Sequence, residues 1–164
     1  MKQSPQLAQV QENMKPGVLT LHGFLGTDKR DLVEILEEDE AEVRRLGTTH
    51  RTIAEKMAYL RDRGKDGLGE FIDVDPNFEV RVDSVRGGIP SPFGGPGLIP
   101  KTNTTVRNTK IGREIVYTDI NIHLIGEHGF YEGKGSLFRL EPHELVEILE
   151  VESEEQQTEL PPNR

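Results

Sequence analysis

The chain predicts a small α+β domain, on three observations. Two consecutive stretches carry apolar residues at helical spacing, a later stretch alternates as a half-buried strand does, and strands are not regularly interleaved with helices. The expected architecture is a helical pair and a C-terminal helix packed on a short, mainly antiparallel sheet, with a long Gly/Pro-rich loop at 86–112. At 164 residues the chain suits one domain with a real core. That domain is expected over 16–151, between a polar, Gln-rich tail at 1–15 and an acidic tail at 152–164.

The elements follow in order. Val18-Leu19-Thr20-Leu21 reads as a short strand closed by His22-Gly23. Thr27 or Asp28 is positioned to cap a helix over 29–46, with Leu32, Ile35, Leu36, Val43 and Leu46 on one stripe and Gly47 as its stop. Thr48 or Thr49 caps a second helix to about Arg63, carrying Ile53, Met57 and Leu60, so the pair forms a helical hairpin or corner. Phe78, Val80 and Val82 alternate with Glu79, Arg81 and Asp83, which is a strand. Residues 114–117 make another. The segment 118–129 alternates like a strand, yet Thr118 is a good N-cap and Gly129 a good C-cap, and helix is preferred. A turn at 132–135, an extended piece at 137–140 and a helix opened by Pro142 complete the chain.

Composition narrows the chemistry. With 29 acids against 20 bases the net charge is -9, which disfavours non-specific binding to nucleic acid or anionic membrane. There is no cysteine, so disulfides, thiolate catalysis and thiolate metal sites are excluded. No apolar run approaches the roughly 20 residues of a membrane span, and 1–15 lacks the apolar centre of a secretory signal. The cytoplasm is the expected location. Met14 is a second candidate start, because the patterned sequence begins after it.

The 86–112 stretch stands out. Five glycines and four prolines between Gly87 and Pro100 argue against helix and central strand, and long loops in small domains tend to be functional. It is also where an acidic protein turns basic: Arg81, Arg86, Lys101, Arg107, Lys110 and Arg113 face one acid, Asp83. Such a run offers donors for phosphates or carboxylates. The bland alternative is a solvated loop that neutralises the acids between Asp28 and Glu42.

Other motifs are partial. His22-Gly23-Phe24-Leu25-Gly26 resembles the oxyanion-hole corner of α/β-hydrolases over about nine residues, but no Gly-x-Ser-x-Gly elbow exists, and a glycine-rich turn is the simpler reading. Gly133-Lys134-Gly135-Ser136 lacks the full phosphate-loop pattern and reads first as a turn. His123 and His128 have zinc-finger-like spacing without a cysteine half. On a helix their five-residue separation puts the rings about 140° apart. Asp119 with His123, and His123 with Glu127, are better-spaced pairs.

The leading expectation is a small binding or regulatory domain that recognises a protein partner or a small anionic ligand through 86–112. Lys101, Arg107 and Lys110 are its candidate ligand-binding residues. The alternative is a small enzyme using acid–base chemistry at His123, Glu127 and His128, with Lys101 or Arg107 holding an anionic substrate. Nucleic-acid contact is a weaker third reading: aromatic interleaving is limited to Phe93, and DNA recognition is not expected. No metal, cofactor or membrane association is expected, and oligomeric state is left open.

Overall fold

The structure is a computed structural model and describes residues 2–153. Within them, five helices pack on a four-stranded antiparallel sheet of order β1-β2-β3-β4, a small α+β domain as the patterning predicts. The elements are α1 (Pro5–Asn13), α2 (Leu32–Arg45), α3 (His50–Gly64), β1 (Ile72–Val74), β2 (Phe78–Ile89), β3 (Ile99–Asn108), β4 (Arg113–Thr118), α4 (Asp119–His128) and α5 (Pro142–Ile148). No helix among the described residues is long and apolar enough to cross a membrane.

The best-specified element is α4. Thr118 accepts from the backbone N–H of Asn121 while Asn121 accepts from that of Thr118, a reciprocal capping box. At the other end Gly129 adopts a left-handed φ of 64°, and the N–H of Phe130 donates to the carbonyl of Leu124. That closure suits glycine and ends the helix where the caps predict.

The core divides into two apolar clusters. Ile53, Met57 and Leu60 of α3 pack on the inner sheet face formed by Phe78, Val80, Val82, Val106, Ile115 and Tyr117, with α5 closing the end. Leu32 and Ile35 of α2 instead join Met14, Phe24, Leu25, Ile120, Leu124 and Phe130. The expected helical pair is therefore a corner: α2 leans on α1 and α5, while α3 leans on the sheet and α4.

Three expectations are corrected. The N-terminal stretch is not a frayed tail, since 5–13 is helical, Leu7 and Val10 pack on the second cluster and Met14 is fully buried. Its glutamines have a specific use. Gln11 accepts from the N–H of Leu32 and Gln3 from that of Val33, satisfying donors at the start of α2 that have no partner within the helix. Asp31 stands at the N-cap without making that bond, and the helix starts at Leu32, three residues later than predicted. Residues 18–21 form a turn and bends rather than a strand, and 137–140 is a turn at 137–138 followed by irregular backbone rather than a short strand. The acidic tail, from residue 154 onward, lies outside the described residues.

The third correction concerns 86–112. Most of it is a long hairpin: β2 and β3 pair from Phe78↔Asn108 to Val85↔Lys101, break at a bulge, and resume at Gly88↔Pro100 and Ile89↔Ile99. The true connection is 90–98. Proline and glycine are tolerated here because β1 pairs only with Phe78 to Val80 and β4 reaches only to Asn103, so the far end of the hairpin is an edge on both sides. Ile89, Phe93 and Ile99 pin this ribbon to the second cluster, whereas Leu98 remains exposed.

Candidate functional site

Two glycine motifs noted in the sequence meet in space. A Cβ on Gly26 would lie 2.1 Å from the backbone N of Ser136, and one on Gly133 would lie 2.3 Å from the carbonyl oxygen of Leu25. The chain at 23–27 and the chain at 133–136 thus cross backbone against backbone, which side chains would forbid. Several of their donors are used internally: Phe24 donates to Met14, Gly133 to Phe24, and Lys134 to the Asp28 carboxylate. Asp28 is itself the anion held there; its hydrogen bond from the Arg30 guanidinium holds its carboxyl well below the usual range.

This crossing positions one wall of a cleft of about 490 Å³. The second wall is the distal β2–β3 ribbon, through Val85, Gly88, Ile89, Pro100, Lys101 and Asn103. Leu19, Leu21, His22 and Phe24 line the first wall, and Thr118, Ile120, Glu132 and Phe138 complete it. Register explains why Lys101 is present. It pairs with Val85, and with Asn103 two residues away it shares one sheet face. A mostly apolar concavity with a few polar groups is the usual form of a small-molecule site.

Glu132 is the unusual group. It is 1% exposed and has a left-handed φ of 71°, which a non-glycine residue rarely adopts. Its carboxyl accepts from Ser136 Oγ at 2.8 Å and from Asn121 Nδ2 at 3.2 Å. The same Asn121 that caps α4 therefore also anchors the glutamate. Arg139 donates to the backbone carbonyl of Glu132 at 2.8 Å, but its charge is matched by Asp39 and Glu141. Burial pushes the Glu132 carboxyl up to about 7, against the opposing pull of its two hydrogen-bond donors and of Arg139.

A pH dependence follows. The folded state holds the Glu132 proton more tightly than the unfolded chain, so this group's contribution to stability is complete below the unfolded carboxylate range and is lost as pH rises through about 7. Glu132→Gln is expected to abolish that fall, which for one proton has a slope of up to about 1.4 kcal/mol per pH unit. Urea denaturation of both proteins at pH 5, 6.5 and 8 reads the slopes, and parallel profiles would show that Glu132 titrates as an ordinary carboxylate.

The other site residues suggested by the sequence lie elsewhere. Arg107 stacks 3.8 Å over the Phe71 ring and pairs with Glu114 at 2.7 Å, away from the cleft. Lys110 sits in the β3–β4 turn. Of the three proposed ligand residues only Lys101 lines the cleft. His123 and Glu127 line a groove between α3 and α4 with Arg51 and Glu55. His128 stacks on Phe93 from the hairpin connection, ring centroids 3.9 Å apart. The two histidines are closer than helical spacing predicts, with ring centroids 5.4 Å apart, because His128 ends the helix and long side chains reach back toward its N-terminus. Burial, then the neighbouring His123, lowers the His128 pKa. His123 and Lys101 line different concavities. No group of three or more metal-ligating side chains occurs among the described residues.

The acidic face of α2 is not neutralised by the basic hairpin. Glu38 pairs with Arg30 and Lys134, and Asp39 with Arg139. Glu132 was missed from sequence because a glutamate beside a glycine turn carries no pattern; the sole hint is its place directly after the apolar pair Phe130-Tyr131.

Fold and cleft together define a small α+β domain with a ligand-sized cavity beside a β-ribbon. Compared with protein-family models, with curated proteins and with solved structures, the chain matches none.

Proposed function

We propose that this chain is a small-ligand-binding domain whose ligand occupies the cleft beneath the β2–β3 ribbon, with an anionic group on Lys101. The observation that carries this reading is the cleft's composition: about 490 Å³ of mostly apolar lining, with one lysine that has no carboxylate within ion-pair distance among the described residues. Other cations without such a partner, Lys29, Lys65 and Lys110 among them, lie outside this cleft. A charge-assisted bond from an ammonium to a carboxylate or phosphate is the matching interaction.

Titration with hexanoate, 3-phenylpropanoate and inorganic phosphate, followed by amide NMR, tests this. The expected result is a coherent shift of residues 19–24, 85–89 and 100–103. Lys101→Glu is expected to weaken binding by about tenfold or more, the scale of a lost charge-assisted hydrogen bond. If these amides stay unmoved, the small-anion reading fails. Attention then passes to the exposed apolar rim of Leu21, Val85, Leu98 and Phe138, the feature that favours a protein partner instead.

A further inference from the structure

We infer that the cleft takes a zwitterion: a small molecule with an ammonium group for Glu132, a carboxylate for Lys101 and an apolar body, the chemistry of an apolar amino acid. This rests on the cleft being the ligand site. The argument starts from how the protein treats its other buried acids. Asp39 receives a forked pair of bonds from Arg139 at 2.6 and 2.8 Å, and Asp119 pairs with Arg61 at 3.3 Å. Glu132, the least exposed of these three acids, has only the neutral donors Ser136 and Asn121 on its carboxyl. A buried carboxylate without a counter-charge is costly, and a bound cation removes that cost.

Lys101 is the complement: a cation at the same cleft without an acidic partner among the described residues. The protein thus presents to one cavity an acid without a cation and a cation without an acid, and the two are not paired with each other within ion-pair distance. A ligand with both charges satisfies both. Leu19, Phe24, Ile89, Ile120 and Phe138 offer its body an apolar lining, so a purely polar zwitterion such as glycine is a poor fit.

Three pairs of probes test the ammonium half separately from the site itself. They are L-leucine with 4-methylpentanoate, L-phenylalanine with 3-phenylpropanoate, and 6-aminohexanoate with hexanoate. Calorimetry is expected to show at least one zwitterion binding at least tenfold more tightly than its deaminated partner. Glu132→Gln is expected to erase that preference, so that zwitterion and deaminated partner bind alike.

A second readout uses the unmodified protein. At pH 6.5 the ammonium drives the remaining proton off Glu132, so binding releases protons, seen as a dependence of the heat on buffer ionisation. Lys101 and His22 line the same cleft as Glu132, Arg139 donates to its backbone carbonyl, and Ser136 and Asn121 hold its oxygens. Loss of the release in Glu132→Gln assigns the proton to this carboxyl. If every deaminated probe binds as well as its zwitterion, the ammonium contact is overturned while the cleft reading stands. If no probe of either kind binds at millimolar concentration, both fall.

Discussion

Arg139→Met is expected to cost about 3–5 kcal/mol of stability, the scale for removing one partner of a buried ion pair. Its side chain is 7% exposed and that of Asp39 6%. The guanidinium forks onto both Asp39 oxygens, donates to the backbone carbonyl of Glu132 and reaches Glu141 at 3.0 Å. Methionine fills much of the same volume but leaves the Asp39 carboxylate buried and uncompensated, and the Glu132 carbonyl without its donor. Urea denaturation at pH 7 measures the loss. The double variant Arg139→Met with Asp39→Asn is expected to recover a substantial part of it, since the stranded charge is gone. A single-variant cost below about 1 kcal/mol would mean that water reaches the pair and screens it as it screens surface pairs. The same arginine ties α2 to the Glu132 turn, so its loss is also expected to loosen one wall of the cleft.

Ile53→Ala is expected to cost about 2–5 kcal/mol, the range for truncating a buried aliphatic side chain. Ile53 is fully buried on α3, in the cluster that joins this helix to the sheet through Met57, Leu60, Val80 and Tyr117. Tyr117 adds a reason why the site collapses poorly: its hydroxyl donates to the Met57 carbonyl at 2.8 Å, fixing the strand against the helix. The cavity left behind is therefore expected to persist. Ile53→Val provides a graded control, with a cost of about 0.5–1.5 kcal/mol. Denaturant midpoints for the series measure both, and equal small losses for the two would show that the stripe packs loosely.

Much of the helical framework was legible because its signals are local. Thr49 caps α3, Thr118 and Gly129 bracket α4, and Pro142 opens α5, each through bonds or dihedrals made within a few residues. The stripe of Ile53, Met57 and Leu60 has the helical period, and Phe78, Val80 and Val82 have the strand period. The hairpin was harder. Thr102, Thr104, Thr105 and Val106 are β-branched and argue for strand, but the glycines and prolines around them argue against it. Glycine and proline disfavour a strand only where neighbours pair on both sides, and whether β1 and β4 extend that far is not written in the local pattern. The N-terminal glutamines Gln3 and Gln11 were misread for a related reason. In isolation they look like a solvated tail, and they acquire a purpose only beside the start of α2.

By itself, the sequence determined the α+β class, the bounds of α3 and α4 with their caps, the Pro142 start of α5, the inner sheet face, the absence of thiol chemistry and the one basic stretch in an acidic chain. Each depends on composition or on periods of two and 3.6 residues. Tertiary structure alone decided the site. It set Glu132 and Lys101, 31 positions apart in the sequence, in the lining of one cleft, left Arg107 paired with Glu114, and turned His123 into a different groove. The physical reason is that a buried charge is defined by what surrounds it. Asp39 and Glu132 are both acids on nearly dry ground, and only the fold gives one an arginine and the other an open cavity.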